Sequence, residues 1–95
     1  MSLPPRILLH SPVSNDLVLA QFVEECLKDC VRLIAIAGED ADKLELQVDT
    51  LVVGDGSDKS RFLFTSAHPN EPLSDVRDFA SEWFCDRDGF LEVRL

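Results

Sequence analysis

Glu39-Asp40-Ala41-Asp42-Lys43-Leu44-Glu45-Leu46-Gln47-Val48-Asp49-Thr50-Leu51-Val52-Val53 is the stretch on which the fold turns. Its middle, Leu44 to Asp49, alternates apolar and polar residues as a half-buried strand does. Ala41, Leu44, Val48, Leu51 and Val52 also form a stripe at helical spacing, with Leu46 and Val53 off it. The segments on either side decide for the helix. Val31-Arg32-Leu33-Ile34-Ala35-Ile36-Ala37 is a nearly unbroken apolar run stopped by Gly38, the pattern of a strand covered on both faces. Such strands belong to parallel sheets, and parallel neighbours need a crossover between them. A helix over 39–53, ended by Gly54, supplies it.

Working outward, the same alternation recurs. Arg6-Ile7-Leu8-Leu9-His10, ended by Ser11-Pro12, reads as the first strand. Ser14, Asn15 and Asp16 are N-cap residues for a helix whose apolar face is Leu19, Phe22, Val23, Cys26, Leu27 and Cys30. Gly54 to Ser60 is a loop by composition. Arg61 to Ala67 is the third strand, closed by His68-Pro69. Pro72 suits the first turn of a third helix, with Leu73, Val76, Phe79, Ala80, Trp83 and Phe84 on its buried face. Asp86 to Gly89 turns the chain into a last strand, Phe90 to Leu95. The order β-α-β-α-β-α-β over residues 1–95 predicts one α/β domain, a minimal doubly wound sandwich with helices on both faces of a mainly parallel sheet. The expected strand order is 2-1-3-4, the flavodoxin-like member of the Rossmann-like class.

Topology then nominates a site. Ligands of such sheets lie outside the carboxyl ends of the strands, where the strand order reverses. In the order 2-1-3-4 that point falls between the first and third strands. It would gather His10 and Ser11, Ser66 and His68, and Asp40 from the end of the second strand. The crevice would also face the N-terminus of the first helix, whose free N–H groups suit an anion. Two imidazoles and two hydroxyls could bind a small ligand or serve a hydrolase. A plain structural role, a histidine bonded to backbone at a strand end, competes with both. No G-x-S-x-G elbow supports catalysis, so no catalytic residue is assigned.

Charge and cysteines exclude more than they assign. Nine basic and 18 acidic residues give a net charge of −9, spread along the whole chain. Nucleic acid and anionic membranes both demand clustered Lys and Arg, so neither is an expected partner. The N-terminal residues contain no charged segment leading into a long apolar one, so no secretory leader is expected and the cytoplasm is the expected compartment. Cys26, Cys30 and Cys85 form no disulfide framework and no Cys-x-x-Cys; buried reduced thiols are expected, without metal or cofactor. Asp55-Gly56-Ser57-Asp58 matches neither a calcium loop nor a phosphate loop. The first strand ends without a dinucleotide glycine motif. His10 and His68 stand where a response-regulator receiver needs carboxylates.

Leu51-Val52-Val53-Gly54-Asp55-Gly56-Ser57-Asp58, Ser60-Arg61-Phe62 and Thr65-Ser66-Ala67-His68-Pro69 resemble a family of small uncharacterised bacterial α/β proteins. That resemblance implies a bacterial source and brings no activity with it. Small size, acidity and the lack of a catalytic set favour a non-enzymatic protein-binding or regulatory module with a basic partner. The last strand would be a sheet edge, through which a symmetric homodimer could form. The alternative is the crevice of His10 and His68 used for a ligand or a hydrolytic reaction.

Overall fold

The 39–53 stretch is helical from Ala41 onward. The computed structural model describes residues 3–58 and 60–95, and its elements alternate as the sequence predicts. They are β1 (Arg6–His10), α1 (Asp16–Lys28), β2 (Leu33–Ala37), α2 (Ala41–Val53), β3 (Phe64–His68), α3 (Leu73–Glu82) and β4 (Phe90–Arg94). Met1, Ser2 and Lys59, which enter the leader and loop expectations, lie outside the described residues. Asn15 caps α1, its Oδ1 accepting the Val18 N–H at 2.8 Å. Gly54 ends α2 at φ 62°, a conformation that costs glycine little.

All four strands are parallel, but their order is 3-2-1-4 rather than 2-1-3-4. The cause is burial. Every residue of β2 is buried and β1 is buried up to His10, so these strands need neighbours on both sides. β3 (Phe-Thr-Ser-Ala-His) and β4 (Phe-Leu-Glu-Val-Arg) carry polar side chains and take the edges. The strand order therefore reverses between β1 and β4, not between β1 and β3.

The sheet divides the core in two. Ile7, Leu9, Ile34 and Ile36 face α1 and α2, where they meet Leu19, Phe22, Val23, Leu44 and Val48. Leu8, Leu33, Ala35 and Ala37 face α3 and meet Val76 and Ala80. The small alanines of β2 let α3 approach closely over β1 and β2. On the same face of β3, α3 reaches the carboxyl end through Phe79, which meets His68. Phe79 and Phe84, expected in the core, are exposed; α3 ends at Glu82, so Phe84 lies beyond it.

Two arginines tie the ends of elements together. Arg6 is buried and donates to the carbonyls of Trp83 (2.7 Å), Arg87 (3.0 Å) and Gly89 (3.3 Å), holding the α3–β4 connection against β1. Arg61 donates to the Val52 and Leu51 carbonyls at the end of α2 and grips both carboxylate oxygens of Glu24 on α1. Of the cysteines, Cys26 is buried and burial pushes its thiol up to about 12. Cys30, expected inside with it, is exposed: α1 ends at Lys28 and Cys30 turns out of line at φ 59°. Among the described residues no helix is long and apolar enough to cross a membrane.

Candidate functional site

The carboxyl edge of the sheet is built by the register of the strands. His10 pairs with Ala37, Ala37 with His68, and His10 on its other side with Arg94. Residues in one row of a parallel sheet point to the same face, so both histidines lie on the α3 face, on either side of Ala37. They are two strand spacings apart, ~9.5 Å between Cα atoms. The structure thus brings both to the predicted edge but does not make them neighbours, because β2 runs between them.

Each histidine has its own carboxylate. His10 Nε2 lies 2.6 Å from Glu92 Oε2, two residues before Arg94 on β4. Arg77 of α3 donates to the same glutamate twice, at 2.7 and 3.0 Å. The Arg77 guanidinium, with His10 as the lesser partner, outweighs burial and lowers the Glu92 carboxyl to about 2. His10, Glu92 and Arg77 form a closed cluster that clasps α3 to the β1–β4 junction.

His68 is arranged differently. Its Nδ1 lies 2.6 Å from Glu71 Oε2 and its Nε2 lies 2.9 Å from the Ser66 hydroxyl. Ser66 and His68 alternate on one face of β3, and the turn at Pro69-Asn70 returns Glu71 over the ring. Phe79 of α3 packs on the imidazole, ring centroids 4.8 Å apart. His68 is buried, Ser66 half-buried and Glu71 exposed. One imidazole thus sits between a hydroxyl and a carboxylate, each on a different ring nitrogen.

Ser11 and Asp40 lie on the opposite face. They line a cleft of about 130 Å³ between the starts of α1 and α2, with Asp16, Lys43 and Gln47. This is where an anion was expected. Asn15 already satisfies a free N–H of α1, and Asp16 and Asp40 bring two carboxylates to the cleft. The five predicted residues therefore fall into three places: His10 with Glu92, Ser66 with His68, and Ser11 with Asp40. Glu71, Glu92 and Arg77 were missed. Glu71 was findable, three residues after a histidine that shares a strand face with a serine; Glu92 required the correct strand order.

The Asp55–Asp58 loop is held by its own serines. Ser57 donates to Asp55 Oδ1 through N–H and hydroxyl, and Ser60 does the same to Asp58. Among the described residues no group of three or more metal-ligating side chains comes together. No protein-family model, no curated protein and no solved structure matches the chain.

Proposed function

We propose that this chain is a protein-binding module that accepts an extended, basic segment of another protein as an added strand on β3. The observation that carries this reading is the open edge of β3 beside an exposed aromatic cluster. Phe62 and Phe64 meet edge to face at 4.9 Å, and Phe64 meets Trp83 at 5.4 Å. Phe62 is 62%, Phe64 53% and nearby Phe84 91% exposed. Natural edge strands are usually blunted by charge, proline or a covering element. β4 has Glu92 and Arg94; Phe64 to His68 has neither charged carboxylate, lysine nor proline.

The Phe64 N–H donates inward to the Arg32 carbonyl. In a parallel ladder alternate residues bond to opposite sides, so Thr65 and Ala67 present their N–H and C=O groups outward. A segment added there would gain main-chain hydrogen bonds, with apolar side chains reaching Phe62 and Phe64. The net charge of −9 steers a basic partner to the chain and disfavours a second copy, which would bring two such charges together. Three free cysteines suit a reducing compartment, the cytoplasm.

The test is selection from a random-peptide display library, followed by titration of the winners against Ala67→Pro. Proline at 67 removes an outward N–H and leaves the ladder to β2 intact. Enriched peptides should alternate apolar residues with Lys or Arg, and Ala67→Pro should weaken them at least ~10-fold, about 1.4 kcal/mol. Equal binding by Ala67→Pro would refute the reading. Sedimentation of the protein alone showing a dimer that Ala67→Pro breaks would make the occupant a second copy.

A further inference from the structure

We propose that Ser66, His68 and Glu71 form an acyl-transfer relay, with Ser66 as nucleophile toward uncharged esters. The inference goes beyond the docking surface and rests on separate atoms, side chains on the α3 face rather than the outer backbone of β3.

The connectivity is what a serine nucleophile needs. A neutral imidazole carries one N–H and one lone pair. The carboxylate of Glu71 can only accept, so it holds the proton on Nδ1. Nε2 is then left with its lone pair toward the Ser66 hydroxyl at 2.9 Å, which donates to it. Nucleophile, base and orienting carboxylate are recognised by such roles, not by chain order. His10 lacks this arrangement, for its Nε2 faces Glu92 and, among the described residues, no side-chain hydroxyl bonds to it.

In the first step Ser66 Oγ bonds to the ester carbonyl carbon while its proton passes to His68 Nε2. The carbon–oxygen bond to the alcohol then breaks, and the alcohol leaves with that proton. Water attacks the acyl-serine next, giving its proton to Nε2. The carbon–Oγ bond breaks, the carboxylic acid is released and Ser66 recovers its proton. Glu71 is a positioning residue that holds the ring and stabilises the imidazolium between steps. Phe64, two residues before Ser66 on the same face, and Phe79 against His68 supply apolar surface for the acyl group. The acidic surface disfavours anionic esters.

The experiment treats the full chain with a fluorophosphonate probe and locates the adduct by peptide mass mapping, beside hydrolysis of p-nitrophenyl butyrate. One adduct per chain is expected, on Ser66. Ser66→Ala should abolish it, and His68→Gln should slow labelling at least ~100-fold. Glu71→Gln, at an exposed side chain, should fold normally and slow labelling ~10-fold, and Glu71→Asp should restore most of the rate. Absence of an adduct, an adduct on Ser57 or Ser60 instead, or a Glu71→Gln labelling rate identical to that of the unaltered protein would each overturn the proposal.

Discussion

His10 and His68 end neighbouring-but-one strands, face the same helix and each hold a glutamate at 2.6 Å. They nevertheless do different things. Glu92 reaches His10 from a strand and is shared with Arg77, so three polar side chains close on one another and 21% of the Glu92 side chain stays exposed. Glu71 reaches His68 from a turn, is 50% exposed and, among the described residues, pairs with no arginine. The first glutamate is committed to holding β1, β4 and α3 together. The second leaves an imidazole with a lone pair pointed at a hydroxyl. A histidine–glutamate distance alone therefore does not identify a working site; what the other nitrogen and the other carboxylate oxygen meet does.

The largest expected effect comes from breaking the clasp. Glu92→Gln should cost about 1–2 kcal/mol at neutral pH, the worth of its charge-assisted hydrogen bonds. The sign with pH follows from the direction of the shift. Glu92 titrates at about 2 when folded, below its ordinary 4.5, so its stabilisation is complete above pH 4.5 and disappears as pH falls through 2. Urea denaturation of both proteins should show a gap that is widest above pH 5 and nearly closed at pH 2. A gap that stays constant would mean the carboxylate's charge is not what holds the clasp.

His10→Ala ranks next. It removes one partner of Glu92 and leaves the two Arg77 bonds, so about 1 kcal/mol is expected in the same titration. Glu71→Gln should be smaller, under ~1 kcal/mol, because an exposed pair is screened and holds no elements together. If Glu71→Gln proved as costly as Glu92→Gln, both pairs would be structural and the contrast between them would collapse.

How much of this could be read from residues alone follows from what local pattern can carry. The elements were legible, even the ambiguous 39–53 stretch, because a buried second strand implied a crossover. The same burial also told inner strands from edge strands. Leu33-Ile34-Ala35-Ile36-Ala37 has no polar face and suits an inner strand, whereas the expected order made it an edge. Weighing that run against Phe64-Thr65-Ser66-Ala67-His68 would have moved β2 inside and β3 to an edge, leaving 3-1-2-4 and the observed 3-2-1-4 to choose between. The Ser66–His68–Glu71 group was half legible, since period-two spacing puts Ser66 and His68 on one face whatever the strand order. The His10–Glu92–Arg77 cluster was not legible, because it exists only where β4 lies beside β1. Arg6 was hidden for another reason: its three acceptors are backbone carbonyls, which leave no mark on sequence.

The smallest effect is the most discriminating, because it costs no stability at all. The two rings should be opposite tautomers when neutral. Glu92 faces Nε2 of His10, so the proton of that ring belongs on Nε2. Glu71 faces Nδ1 of His68, so there it belongs on Nδ1. Nitrogen-15 shifts from long-range imidazole correlation spectra separate protonated from lone-pair nitrogens, and Ser66→Ala provides the control. His68 should show the less common Nδ1–H form at a pH where it is neutral, and should keep it in Ser66→Ala, because the carboxylate rather than the hydroxyl places the proton. His10 should show the Nε2–H form in both proteins. If His68 carried its proton on Nε2, the imidazole would donate to Ser66 instead of accepting from it. The hydroxyl would then have no base, and the two histidines would differ only in the company their glutamates keep.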